Sequence, residues 1–361
     1  MAAHIYAASP GGPRGTGGLG AAERAEPENG IWCCYTHGKA IDSDDGRFYS
    51  VTQLKAWKRL HEARKAADVN GEALHHIGLV ESISVNSAPV SSLEGRKFDL
   101  GMRNMITGPN ASGKSVLTRL IASVAYPDHV AEMSRHRDVD MAVRWFDPQT
   151  HEVTTRGRGG EVIHVLDGFP VPYVARPYKT ILLERVRTGA IGNIVGIAQV
   201  FDLSVSAMKA TLSALAGQSR LIRNVRYGGT QVYWTLEVND RVFESTDCAR
   251  LPGGLQAVIL VELAGFHARH HARVEPTFLL LDEFMDFYHP EAQIGTLERL
   301  HEAAEHAQVG IVTHSPSIVK AASPDWSVTV LEHRSYNRLD APVDFEIATA
   351  TGPHAGRIGA E

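Results

Sequence analysis

A chain of 361 residues is long enough for a large core and for two domains of unequal size. With 43% hydrophobic and 21% charged residues and a formal net charge of −5, it has an ordinary globular make-up and no global basic field, so any nucleic-acid contact must use a local patch. Its three cysteines (Cys33, Cys34 and Cys248) suggest no disulfide framework, no apolar run approaches the ~20 residues of a membrane helix, and the start lacks the parts of a signal peptide; together these predict a cytoplasmic protein.

Residues 10–30 are rich in Gly, Pro and Ala and read as a loop. Ahead of it stands Ala2-Ala3-His4-Ile5. Behind it come Asn29-Gly30-Ile31-Trp32-Cys33-Cys34-Tyr35-Thr36-His37 and then Ala40-Ile41-Asp42. Residues 50–67 read as an amphipathic helix, with Leu54, Trp57 and Leu60 on one face and Lys55, Lys58 and Arg59 making it basic; Asp68-Val69-Asn70-Gly71 reads as a turn.

Histidine, later asparagine, a short Cys-x-x-His and an acid is the order of parts in an HNH (ββα-metal) nuclease. Ala-His-Ile-Tyr, Glu-Asn-Gly-Ile-Trp, Ile-Asp-Ser-Asp and Leu-Lys-Ala-Trp-Lys resemble an HNH-like module at the front of many bacterial NTPases, over roughly residues 1–68. The resemblance implies a divalent metal, His4 as general base, Asn29 as its orienting partner and Asp42 as a metal ligand where a histidine usually stands. Such modules usually carry a Cys-pair zinc knuckle with half upstream of the first histidine. Here three residues precede His4, and the other half reads Cys34-x-x-His37, a zinc remnant with two of the four ligands of a closed site. The head therefore either cleaves nucleic acid or is a degenerate relic that docks on the rest of the chain or on a partner.

From Leu79 the text turns strand-like: Leu79–Val85, Lys97–Leu100 and Asn104–Thr107. The last enters Gly108-Pro109-Asn110-Ala111-Ser112-Gly113-Lys114-Ser115, which is G-x-x-x-x-G-K-S, and an apolar-periodic helix follows. Strand, loop and helix are the context this phosphate-binding loop needs. Its N–H groups and the helix N-terminus suit a polyphosphate, Lys114 suits the β- and γ-phosphates, and the Ser115 hydroxyl suits Mg²⁺. Short β-rich segments follow at 141–146, 152–155 and 162–166; residues 189–224 look mostly helical, and 232–238 strand-like.

Phe278-Leu279-Leu280-Leu281-Asp282-Glu283 is a buried strand ending in two acids. Asp282 fits the Walker B role of holding Mg²⁺, and Glu283 fits the base that polarises the attacking water. Gly310-Ile311-Val312-Thr313-His314 is a second such strand, and His314 fits a switch histidine that contacts the γ-phosphate. Ahead of both, Leu251-Pro252-Gly253-Gly254-Leu255-Gln256 opens a helix, where Gly253 and Gly254 allow close approach of backbone N–H groups to a phosphate. His267, His270 and His271 read as an exposed helix end, and Gln199 is a Q-loop candidate in a helical-looking stretch.

The order of these motifs over roughly residues 78–335 resembles ABC-type ATPases, with Leu-Pro-Gly-Gly-Leu-Gln similar to the Leu-Ser-Gly-Gly-Gln signature. Because the signature of one ABC subunit completes the P-loop site of another, one motif set implies a homodimer with ATP sandwiched between subunits and Gly253 and Gly254 acting in trans. Asp-Glu-Phe-Met-Asp-Phe-Tyr-His-Pro and Thr-His-Ser-Pro look like the RecF, overcoming-lysogenization-defect and chromosome-maintenance branch, which acts on DNA and recurs in phage defence, including the Septu type. No long heptad region is present, so a long-armed chromosome-maintenance protein is not expected.

The expected fold is α/β: a P-loop NTPase of ABC type at 78–350, with an antiparallel β subdomain and a helical insertion. It is preceded by a small α+β HNH-like head at 1–68 and a linker at 69–77, and followed by a flexible tail at 351–361. The expected function is a DNA-associated ATPase of antiphage defence or DNA repair that uses ATP and Mg²⁺. The rivals are an ATP-switched module with an inert head controlling a separate nuclease or toxin, and a transporter ATPase subunit.

Overall fold

The computed structural model describes residues 2–47, 49–70, 78–124, 126–146, 150–171, 178–184, 191–238, 240–247, 251–286, 289–322, 324–333 and 345–346. Cys248 and the expected tail lie outside them, as do the side chains of His37 and Leu60.

The head pairs β1 (Ala2–His4) with β2 (Gly30–Trp32), antiparallel, and adds α1 (Ala21–Ala25), α2 (Tyr35–Asp42) and α3 (Val51–Asn70). Its core is small: Ala3, Ile5, Ile31, Ile41 and Leu54, with Tyr49 and Trp57 packed edge to face beside them. A core of this size leaves the long loop to be held by polar groups, and Arg14 holds it. Its guanidinium donates to the carbonyls of Ile5, Ile41 and His4 at 2.7, 2.5 and 3.0 Å and pairs with Asp42 at 2.6 Å. Of the turn expected at 68–71, residues 68–70 are helical instead, because α3 meets no helix breaker before Gly71, which lies outside the described residues.

The larger region begins with β3 (Val80–Ser87), β4 (Arg96–Asp99) and β5 (Arg103–Thr107). Then come α4 (Lys114–Ala122), α5 (Asp128–Ser134), β6 (Val139–Phe146), β7 (Thr150–Arg158), β8 (Glu161–Leu166), β9 (Phe169–Val171) and β10 (Lys179–Glu184). Next are α6 (Ile194–Val200), α7 (Val205–Ala216), β11 (Ile222–Gly228), β12 (Gln231–Val238) and β13 (Arg241–Asp247). The last part holds α8 (Gly253–His271), β14 (Thr277–Asp282), α9 (Pro290–Ala303), β15 (Gln308–Thr313), α10 (Pro316–Ala322) and β16 (Ser327–Val330), with a short pair β17 (Glu332–His333) and β18 (Phe345–Glu346).

Two sheets carry the architecture. One is parallel throughout, ordered β10-β14-β15-β5-β16; the other is antiparallel, ordered β4-β3-β6-β7-β8-β9. Side chains alternate across a strand, and β14 uses both faces. Phe278 and Leu280 enter the core shared with the antiparallel sheet and α4, whereas Leu279 and Leu281 enter the core made with α6 to α10. Gln308 ties the sheets together: its carboxamide accepts from Val80 N and donates to Val80 O and Gly101 O, at 3.0, 2.8 and 2.8 Å.

The helical insertion ends earlier than expected. Residues 222–228 form β11, which pairs with β12 across a Gly229-Thr230 turn. Gly229 takes φ 66°, the left-handed backbone that two-residue hairpins demand. Among the described residues no single helix is long and apolar enough to cross a membrane.

The histidine trio at the end of α8 is a second correction. His267 is only 6% exposed and stands edge-on to Phe201, because the last turn of α8 is packed rather than free; His270 and His271 are half-buried. Its Nε2 has no hydrogen-bond partner among the described residues. Burial, then Lys179 and His270, lowers its pKa from 6.5 to about 3. A depressed histidine gives stability that is present above the unfolded value and is lost as the unfolded chain takes up the proton. The urea midpoint should therefore fall as pH drops from 6.5 towards 3, and His267→Leu should flatten that limb; equal slopes in the two proteins would refute the assignment.

Candidate functional site

Thr107, Asp282 and Thr313 stand side by side at the C-terminal edge of the parallel sheet, at or next to the paired ends of β5, β14 and β15. Ligands of open α/β sheets bind at this edge. After β5 the loop 108–115 turns on glycines that have no substitute. Gly108 takes φ 149°, and a Cβ there would lie 2.0 Å from Leu331 O. Gly113 takes φ 92° at the N-cap of α4. Ala111, at the exposed tip, holds φ 62°, a conformation non-glycine residues rarely adopt outside functional turns. Such a turn leading into a helix N-terminus makes an anion-binding concavity.

Lys114 is the first residue of α4 and is 3% exposed. Its Nζ donates to the carbonyls of Gly108 and Pro109 at 3.0 and 2.8 Å and lies 3.2 Å from Glu283 Oε1. Glu283 also has a positive φ, 51°, and is anchored by its N–H to Val312 O at 3.0 Å. This turn brings its carboxylate to Lys114 and within 3.9 Å of His314 Nδ1. The P-loop lysine and His314 thus meet at one carboxylate of the acid pair.

Asp282 accepts a hydrogen bond from Ser115, while its Oδ1 is buried with no hydrogen-bond partner among the described residues. Burial raises its pKa above the usual carboxylate value; Glu283 and Glu184 push the same way, and Ser115 and Lys114 pull back. A closed-off carboxylate oxygen is costly unless a proton or cation meets it. The pair Ser115 and Asp282 therefore fits Mg²⁺, whose bound form would neutralise phosphate charge there.

Three residues absent from the sequence reading complete this edge. Asp286 accepts from the Thr313 hydroxyl, from the His314 N–H at 3.2 Å and from His314 Nδ1 at 2.9 Å. That fixes the ring and leaves Nε2 as the nitrogen available to a phosphate. Glu184, paired in register with Asp282, binds Arg119 Nε at 2.7 Å. Gln293 accepts from the Ser315 and Ser317 hydroxyls at 2.9 and 3.2 Å and donates to Met285 O at 3.3 Å, which locks the switch turn to the turn after β14.

Gly253 and Gly254 open α8 behind Pro252, which offers no side-chain cap. Among the described residues, the hydrogen bonds that hold Lys114, Glu283 and His314 do not involve them. A Cβ on Gly253 would meet nothing within 4 Å, so the surrounding chain does not demand glycine there. Gln199 is an exposed residue of α6.

In the head, the expected pairing of Asn29 with His4 is replaced. Asn29 is 4% exposed; its Oδ1 accepts from Tyr6 N at 2.7 Å, and its Nδ2 donates to Tyr6 O and Arg24 O at 2.9 and 3.0 Å. With both amide hydrogens used on backbone, Asn29 clamps the loop. His4 is exposed at the end of β1. Asp42 is engaged by Arg14. Cys34 is exposed, and burial together with Cys34 raises the pKa of Cys33. No group of three or more His, Cys, Asp or Glu side chains able to hold a metal occurs among the described residues.

No protein-family model matches the chain, and no curated protein matches it. Among solved structures it is similar to an SMC head bound to the C-terminal winged-helix domain of ScpA. The identity is 12% and the TM-score 0.53, over 74% of this chain and 96% of that one. An SMC head with an extended coiled coil, derived from Pyrococcus furiosus and bound to the C-terminal domain of ScpA, gives 10% identity and a TM-score of 0.50, over 74% and 95%. The fold is that of an SMC head. That is an α/β fold, the class that the order of motifs implied.

If Asp286 positions His314, the two act as a unit. Asp286→Asn and His314→Ala should each lower the turnover of ATP, by up to about 100-fold for a misplaced ring, and the double variant should be no worse than the poorer single one. Additive losses in steady-state kinetics would separate the two residues.

Proposed function

We propose that this protein is an ATP-hydrolysing switch that works as a homodimer on DNA, in antiphage defence or DNA repair. The observation that carries the reading is Glu283, held by a left-handed turn between Lys114 at 3.2 Å and His314 at 3.9 Å at the end of a P-loop sheet. In this reading the P-loop and Lys114 bind the phosphates, Ser115 and Asp282 hold Mg²⁺, Glu283 polarises the attacking water, and His314, steadied by Asp286, contacts the γ-phosphate. Phosphate must displace Lys114 from the carbonyls and from Glu283, which releases that carboxylate for water.

The signature turn supports the dimer. Gly253 has open space in its own chain and sits at a helix N-terminus, which suits an approach by a second subunit's phosphate. The DNA assignment and the branch rest on the sequence resemblance and on the likeness to SMC heads. The HNH-like head is the part we assign to nucleic acid, with His4 exposed as its candidate base.

A second reading of the head is favoured by Arg14 and Asn29. With Asp42 in an ion pair and Asn29 spent on backbone, the head suits binding better than cleavage.

Glu283→Gln should retain ATP while losing about 100- to 10,000-fold in turnover, the usual worth of a general base. Lys114→Ala should weaken nucleotide binding itself. Undiminished hydrolysis in the first or unchanged ATP affinity in the second would sink the site assignment. Plasmid cleavage with Mg²⁺ or Mn²⁺, lost in His4→Ala, would establish the nuclease; no cleavage by either protein would leave the head as a binding module.

A further inference from the structure

A cleft of about 980 Å³ opens beside His4. Most of its wall is head: Ile31, Trp32, Cys33, Cys34, Tyr49 and Trp57 among others. Trp32 is 83% exposed, and the buried indole N–H of Trp57 has no hydrogen-bond partner among the described residues. The remaining wall is Arg273 and Val274, which belong to the ATPase. The site at His4 is thus composite.

Those two residues stand at a particular place in the chain. They form the turn between α8 and β14. α8 has 19 residues, roughly 28 Å at 1.5 Å per residue, and begins with Gly253 and Gly254. β14 ends at Asp282, followed by Glu283. One turn therefore joins the signature helix to the Walker B strand and also walls the head cleft.

The turn has little slack. The N–H groups of Val274 and Glu275 both donate to His271 O, at 2.9 and 3.0 Å. Pro276 O accepts from Lys179 N at 2.7 Å, and a Cβ on Gly78 would lie 2.2 Å from the Pro276 ring. On its flank, α8 is fastened by Glu262 to Arg299 of α9 at 3.0 Å. A displacement at either end of α8 or β14 is passed on by rigid, buried elements rather than absorbed locally.

We propose that nucleotide engagement at Gly253, Gly254 and Glu283 gates the head cleft through the Arg273–Val274 turn, so that ATP state sets access of a nucleic-acid strand to His4. The substrate half of this statement rests on the nucleic-acid reading of the head; the gating half rests on the composite wall. By linkage, a strand in the cleft changes the affinity for ATP by the same factor as ATP changes the affinity for the strand.

Cys34, an exposed thiol of the cleft wall, reports on it without any ligand. In the full chain carrying Glu283→Gln, the rate of Cys34 alkylation by N-ethylmaleimide, resolved from that of the adjacent Cys33 by fragment-ion mass spectrometry, should change about fivefold or more on adding Mg-ATP. With Arg273→Ala and Val274→Ala added, and ATP occupancy checked on the same sample, the change should shrink to under about twofold. A labelled single-stranded oligonucleotide should show a Kd that shifts by a comparable factor with ATP.

An ATP-bound protein whose Cys34 rate does not move overturns the gating, and a turn variant that keeps the full response removes the turn as its route. If Cys34 responds but no oligonucleotide binds in either state, the gating stands and the nucleic-acid reading falls. If the oligonucleotide binds equally in both states and Cys34 is silent, the reading stands and the gating falls.

Discussion

The carboxylate of Glu283, between Lys114 at 3.2 Å and His314 at 3.9 Å, is the contact on which the nucleotide edge depends. Each partner comes from a different strand end, and each is fixed by something other than this contact. Lys114 is held by its own loop carbonyls, Glu283 by a left-handed backbone tied to Val312, and His314 by Asp286. A charged cluster so tied is preorganised, which is what electrostatic catalysis asks of a site. A left-handed Glu283 costs on the order of 1–3 kcal/mol, and the surrounding sheet must over-determine it.

The sheet does so by burial on both faces. β14 sends Phe278 and Leu280 one way and Leu279 and Leu281 the other, so neither core can shift without disturbing the strand that presents Asp282 and Glu283. Replacing Leu280 or Leu281 with alanine would leave a cavity in one core, a change worth about 2–5 kcal/mol, and would loosen the acid pair as well.

What was legible in the sequence is what is contiguous along it. The P-loop, the acid pair and the switch histidine each occupy one short run, and each run states its own secondary structure. Asp286 was missed because its role exists only where the turn after β14 meets the turn after β15. Glu184 and Arg119 were missed because their meaning comes from strand register and helix packing. Residues 222–224, the start of β11, fall inside the stretch 189–224 that reads as mostly helical; the hairpin turn at Gly229-Thr230 is the local signal against it. In the head, motif order was read as side-chain pairing, yet the Asn29 amide went to backbone, because a long loop over a small core needs its polar groups held first.

The same logic bears on what the head is for. Arg14 sits buried on three carbonyls and one carboxylate, and such a cation is costly if any partner is lost. These contacts order the loop that carries the chain back from His4 to Asn29, and they leave His4 and Trp32 outward. An ordered loop, an exposed histidine and an exposed tryptophan stand at a cleft whose wall also takes in Arg273 and Val274. That geometry leaves His4 and Trp32 accessible, which the proposed binding role of the head requires whether or not it cuts.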